Sequence, residues 1–134
     1  MKILLDTNVI IDNLARRDEH GESLRILNLC EDGSLDGVIT TFTIIDTMYV
    51  LRKYLGFDKI RGSMQMLMQI VDVVPILKSD INAALKGEFA DFEDAVQASC
   101  ATRIKADYIV ARNIKAFINS PIKALLPVEF LSIL

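Results

Sequence analysis

The sequence predicts an α/β fold, a central parallel sheet with helices on both faces. Three observations predict it. Short, mostly apolar runs recur at residues 2–5, 37–40, 71–77, 108–111 and 124–126. They are apolar throughout instead of alternating with polar residues, the pattern of strands buried on both faces. Stretches with helical periodicity fall between them, and strands that alternate with helices pair in parallel.

Each element has a local reason. Residues 2–5 form the first strand, broken by Asp6-Thr7-Asn8, types that suit a strand end or a helix cap. Ile10, Ile11 and Leu14 then fall at helical spacing over residues 9–14, and Arg16, Arg17 and Asp18 make a polar link. A second helix over 19–31 carries Leu24, Ile26, Leu27 and Cys30 as its apolar face, and Asp32-Gly33-Ser34 stops it. After the strand at 37–40, Thr40 or Thr41 caps a helix over 42–55 that ends at Gly56. The next helix, 58–70, has a methionine-rich face of Met64, Met66 and Met68, expected mainly in the core, with a dimer face or partner groove as the other reading. Pro75 interrupts the third strand, 71–77. Ser79 caps a helix to Lys86 that Gly87 ends, and Asp91 opens another to Lys105. The fourth strand, 108–111, leads into a loop at 112–121. A short fifth strand at 124–126 precedes a final helical turn that begins at Pro127 and runs to Phe130. There is no internal repeat, low-complexity stretch or linker, so one domain over residues 1–134 is expected.

Composition narrows the classes. At 51% hydrophobic and 25% charged the chain is globular, and 134 residues bury a core without disulfides. A mean hydropathy of +0.34 is high for such a chain and points to an apolar patch for a partner or a second copy. The net charge of −3 runs against a general nucleic-acid binder. Carboxylates gathered around divalent cations would account for it, as would a basic partner protein. Cys30 and Cys100 stand alone, which supports neither a disulfide framework nor a zinc site. His20, the one histidine, is expected in solvent beside Glu19 and Glu22. The apolar run at the start is cut by Asp6, and no stretch of about 18 apolar residues exists, so neither a signal peptide nor a membrane helix is expected. A reducing cytoplasm is the expected setting.

In open α/β sheets, ligands sit beyond the carboxyl ends of the strands, where strand order switches. Asp6 directly follows the first strand and Asn113 the fourth, while Asp46, Asp91 and Asp94 lie near the starts of helices expected at the same edge. Local pattern divides Asp6 evenly between a crevice-facing carboxylate and a helix cap. Asp46 neighbours Phe42, Thr43, Tyr49 and Val50 along its helix, so a buried carboxylate there must meet a cation, a donor or a wet cleft. Asp91 suits a cap and Asp94 a ligand, because the small residues Ala95, Val96, Ala98 and Ala101 let their helix approach the sheet. Glu93 is expected in solvent. Three or four carboxylates meeting in one place need cations, and oxygen donors alone select a hard ion, Mg²⁺ or Mn²⁺. Such ions suit phosphodiester hydrolysis.

These segments resemble the PIN domain family, which includes the VapC-like toxins and the domain also called PilT N-terminus-like. Residues 4–12, LLDTNVIID, are similar to the family's opening. Asp46 within TIIDTMY, Asp91 and Asp94 within DFEDAVQ, Asn113 within YIVARNIKAF and the closing PVEFL follow in the family's order. The resemblance implies a three-layer α/β/α fold with a central parallel sheet of four to five strands. It also implies a Mg²⁺- or Mn²⁺-dependent endoribonuclease, often a toxin that forms a homodimer and is checked by an antitoxin. Carried over, Asp6, Asp46 and Asp94 become metal ligands, Asn113 takes the fourth polar position and Asp91 helps. Three positions depart from the pattern. Asp46 stands where many members have Glu, Ala111 where Thr or Ser is frequent, and Ala116 where Asp is frequent. They leave a second reading, a binding module with a weakened metal site that holds an antitoxin or RNA without cutting it.

Other acid-bearing α/β folds fit less well. A receiver domain needs an acidic pair after its first strand and a phosphoacceptor after its third, where Val74-Pro75-Ile76-Leu77 stands. No phosphate-binding loop is present. A haloacid-dehalogenase phosphatase needs Asp where Asn8 stands. The RNA target is not written in the sequence.

Overall fold

Ile3, Leu4 and Leu5 are all fully buried, so both faces of the first strand are covered. The computed structural model describes residues 1–16 and 20–134, with the His20 side chain excepted. The expected link at Arg17 and Asp18, the helix start at Glu19 and the His20 environment lie outside the described residues.

Strand β1 (Lys2–Leu5) pairs in parallel with β2 (Asp36–Thr40) on one side and β4 (Tyr108–Val110) on the other. β3 (Asp72–Val74) extends the sheet beyond β2 and β5 (Ala124–Leu125) beyond β4, which gives the order β3-β2-β1-β4-β5, all parallel. Helices α1 (Thr7–Ala15), α2 (His20–Glu31), α4 (Phe57–Ile70) and α7 (Pro127–Ser132) pack on one face. There Ile3, Leu5 and Ile39 meet Val9, Ile26, Met64, Leu67 and Phe130. On the other face Leu4, Val38 and Ile109 meet Ala98 and Ala101 of α6 (Phe92–Arg103), and α5 (Lys78–Lys86) packs against α6 through Ala84, Ala95, Val96 and Cys100. This is the three-layer α/β/α arrangement. α3 (Thr41–Leu51) leaves the end of β2 and packs on α1.

Several expected boundaries move for visible reasons. α1 starts at Thr7 and not Val9, with Asp6 as the extended residue before it. α3 stops at Leu51, and the chain turns through Arg52–Leu55 before α4 begins at Phe57. β3 keeps only the residues before Pro75, which has no amide to donate. The cap before α5 is Leu77, not Ser79, because its amide donates to Asp80 Oδ2 at 2.9 Å. The loop after β4 winds into a 3-10 helix, Ile114–Phe117. Gly33, at φ 84°, supplies the left-handed turn that ends α2. Gly37 is required by packing, since a Cβ there would lie 2.6 Å from Cys30 Sγ.

The apolar faces were only partly legible. Ile26, Leu27 and Cys30 are buried, but Leu24 is exposed. Met64 is core, whereas Met66 and Met68 face outward, so the core expectation holds for Met64 and not for the other two. Tyr54 and Phe57 are exposed as well. Both cysteines are free, in separate apolar clusters, and burial pushes each thiol up to about 11. Among the described residues, no helix is long and apolar enough to cross a membrane.

A buried ion pair fixes α5 against α6. Asp80, 1% exposed, accepts from Arg103 Nε and Nη2, Ser99 Oγ and the Leu77 amide. Burial raises its carboxyl pKa, but Arg103, the Leu77 amide and Ser99 outweigh burial and hold it below the ordinary value. A depressed carboxyl contributes stability that is present above its unfolded pKa and lost as pH falls through the folded one. Asp80→Ala should therefore cost about 3 kcal/mol near neutrality in urea unfolding. The gap between parent and variant should narrow below about pH 4. Thr47 shows the opposite balance. Its hydroxyl is the one buried side-chain oxygen or nitrogen among the described residues without a partner. Thr47→Val should raise stability by about 1 kcal/mol, read from the same unfolding curves.

Candidate metal centre

β1 and β4 lie side by side, yet the chain leaves them toward opposite edges of the sheet, so their carboxyl ends form the switch point. Asp6 sits there, its amide bonded to the Val110 carbonyl at 2.9 Å and its residue 6% exposed. It occupies the position before α1, where the Thr7 and Asn8 amides lie close enough to favour its charge without closing a full capping hydrogen bond. Gln97 Nε2 instead donates to Asp6 Oδ1 at 3.3 Å.

Two further helices bring acids to this edge. Thr40 ends β2 and caps α3, accepting from the Thr43 amide at 3.3 Å, and one turn beyond Thr43 stands the half-buried Asp46. Asp91 caps α6 through Oδ1, which accepts from the Asp94 amide at 3.1 Å. That leaves Asp94, half-buried, and the exposed Glu93 as the acids of this turn not used in capping.

The carboxylates share one electrostatic field. Asp94 is pushed up to about 6, first by burial and then by the charges of Asp6, Asp91 and Glu93. Burial also raises Asp6, with a smaller push from Asp91, against the pull of Gln97 and the Thr7 and Asn8 amides. Glu93 is raised by burial and then by Asp46, Asp91 and Asp6. It is exposed, as expected, but it belongs to the same acidic field, which sequence reasoning missed.

Asn113 is exposed at the start of the 3-10 helix, and its side chain makes no cap bond. Ala111 is fully buried in the core cluster below, and Ala116 packs against that cluster. Arg112 reaches from this loop to the buried Asp12 of α1 at 2.9 Å, an ion pair that joins the loop to α1. The residue most clearly missed is Gln97, buried in a helix otherwise lined with small side chains. Its signal was present, a long amide three residues after Asp94 on a face too apolar to leave it unbonded.

The donor set fits a hard divalent cation in chemistry, since the acidic side chains at this edge offer only oxygen donors and, after burial, raise one another. The expected meeting of three or four carboxylates is not formed, however. Among the described residues no three acidic, histidine or cysteine side chains stand close enough to hold one ion. Asp6, Asp46, Asp91 and Asp94 share a field and not a point. Asp6 is held by Gln97 and Asp91 by the Asp94 amide of its own helix, while Asp46 stands on α3 and Asp94 on α6.

The raised carboxyl of Asp94 gives a measurable cost. In metal-free protein the folded state holds a proton there between about pH 4 and 6 that the unfolded chain has released. Stability from this group therefore falls as pH rises through that window. Asp94→Asn should melt about 3 °C above the parent at pH 7 in EDTA, a gain of order 1 kcal/mol after solvent screening. The gain should vanish below about pH 4 in thermal melts.

No curated protein matches the chain in sequence. Solved structures do match its fold. A VapBC2 complex from Rickettsia felis, bound to a DNA fragment from its promoter, is 16% identical, covers 94% of this chain and 98% of its own, and has a TM-score of 0.73. A toxin-antitoxin complex from Klebsiella pneumoniae is 20% identical over 93% and 97% of the two chains, with a TM-score of 0.71. VapC20 from Mycobacterium tuberculosis, a sarcin-ricin loop cleaving toxin, is 16% identical over 83% and 89%, with a TM-score of 0.67. These likenesses show the fold. In sequence, residues 2–115 match the family described as the PIN domain, and the chain belongs to that family.

Proposed function

We propose that the chain is a Mg²⁺- or Mn²⁺-dependent endoribonuclease, the toxin of a toxin-antitoxin pair, acting as one domain over residues 1–134. The observation that carries this reading is the buried Asp6 at the switch point, with Asp94 beside it pushed up to about 6 by burial and then by its acidic neighbours. Asp6, Asp46 and Asp94 would hold the ion, with Asp91 as helper and Asn113 as a neutral polar group for a water or phosphate oxygen. The bound cation supplies charge for the phosphoryl oxygens and an acidified water. The chain's own part is to hold Asp6 dry and oriented, to carry Asp94 toward it on a closely packed helix, and to leave Asn113 open to a substrate. An RNA phosphodiester is the substrate class. An antitoxin and a second copy of the chain are the proposed partners, in a reducing cytoplasm. Solved relatives in complex with an antitoxin support the first partner. The exposed Tyr54, Phe57, Met66 and Met68 are apolar surface for such partners.

The second reading, a domain that binds without cutting, is favoured by Ala111 and Ala116. They place methyl groups where a hydroxyl and a carboxylate would add oxygen donors, and among the described residues no three acids converge.

Purified protein, freed of partner, should cut a mixed single-stranded RNA pool with Mg²⁺ or Mn²⁺ and stop in EDTA. Asp6→Asn and Asp94→Asn should each lose at least about 100-fold in rate, and Asp94→Asn should lose Mn²⁺ binding by calorimetry. Folded parent that never cuts would move the assignment to the binding reading. Unchanged Mn²⁺ affinity in Asp94→Asn would remove that residue from the site.

A further inference from the structure

We infer that Gln97 is a positioning residue for the Asp6 carboxylate, an inference that rests on Asp6 being a metal ligand as proposed above. Gln97 is 1% exposed in the middle of α6, where an unpaired amide would be costly. Every polar atom of its side chain is engaged at the site. Nε2 donates to Asp6 Oδ1 at 3.3 Å and to Thr43 Oγ1 at 3.1 Å, and Oε1 accepts from Thr40 Oγ1 at 2.7 Å. Thr43 in turn shares a hydrogen bond with Thr7 at 2.9 Å. One amide thus joins the β1–α1 junction, which carries Asp6, the start of α3, the helix that carries Asp46, and α6, which carries Asp94.

The arrangement has a direction. A flipped amide would set a carbonyl against the Asp6 carboxylate and leave the Thr40 hydroxyl facing an N–H, so Asp6 and Thr40 together fix the amide as drawn. Thr40 is itself held, because its oxygen caps α3 through the Thr43 amide. Gln97 lies one turn after Asp94, so the helix face that presents one candidate ligand carries the brace for the other. A donor that orients a ligating carboxylate from behind acts on metal affinity and on turnover without touching the substrate.

The test uses the full chain, with Mn²⁺ alone as the probe for binding and the RNA pool for turnover. Gln97→Met keeps the side chain's volume and removes both donors. Gln97→Asn keeps an amide but draws it back by one methylene. Each should weaken Mn²⁺ binding by calorimetry at least about tenfold, lower kcat for RNA and leave KM near the parent's, while circular dichroism matches the parent. If Gln97→Met does not fold, Gln97→Asn carries the test. Parental Mn²⁺ affinity in a folded Gln97 variant, with binding lost in Asp6→Asn, would overturn the positioning role while leaving Asp6 as a ligand. Parental affinity in Asp6→Asn would overturn the assignment of Asp6, and the role of Gln97 with it.

Discussion

A carboxylate at the end of a strand buried on both faces must be compensated where it stands. At Asp6 the compensation comes from Gln97 and from the flanking amides of Thr7 and Asn8, and it is incomplete, since burial still raises the carboxyl. Much of the local structure follows from that constraint. Three threonines and one glutamine form a polar island inside an apolar sandwich: Thr7 from α1, Thr40 and Thr43 from the start of α3, and Gln97 from α6. They come from three separate parts of the chain, the β1–α1 junction, the β2–α3 junction and α6, so the island ties helices of both faces to one point of the sheet.

The rest of α6 is built to deliver that contact. Its small side chains bring the helix against Leu4, Val38 and Ile109, and α5 braces it from outside through the Asp80–Arg103 pair. Arg103 also bonds to the Pro75 carbonyl, so the guanidinium joins the end of α6 to the segment after β3. On the opposite face Asp12 and Arg112 link α1 to the loop after β4. These two ion pairs, each with one nearly dry partner, fasten one helix on each face of the sheet. Such pairs fix geometry more than they add net stability.

Much of this was legible along the chain. Strand runs such as Ile3-Leu4-Leu5 announce their own double burial, and Thr40 and Asp91 announce their helices because capping is a local reaction of a side chain with its own backbone. Boundaries set by distant partners were not legible. The expected Ser79 cap gave way to Leu77 because Asp80 reaches back to that amide while bound to Arg103. Leu24 fits a helical stripe by spacing, yet faces outward because the packed stripe of α2 runs through Ile26, Leu27 and Cys30.

The sequence by itself determined the α/β class, the parallel order of short apolar strands and the acids that fall at their carboxyl ends. Those follow from periodicity and from residues acting on their neighbours. Only the tertiary structure decided which acids feel one another, that Glu93 joins Asp6, Asp46, Asp91 and Asp94 in one field, and that no three of them converge. It also assigned Gln97 its partners. Those are 54 and 91 residues away at Thr43 and Asp6, separations at which a hydrogen bond leaves no trace in local pattern.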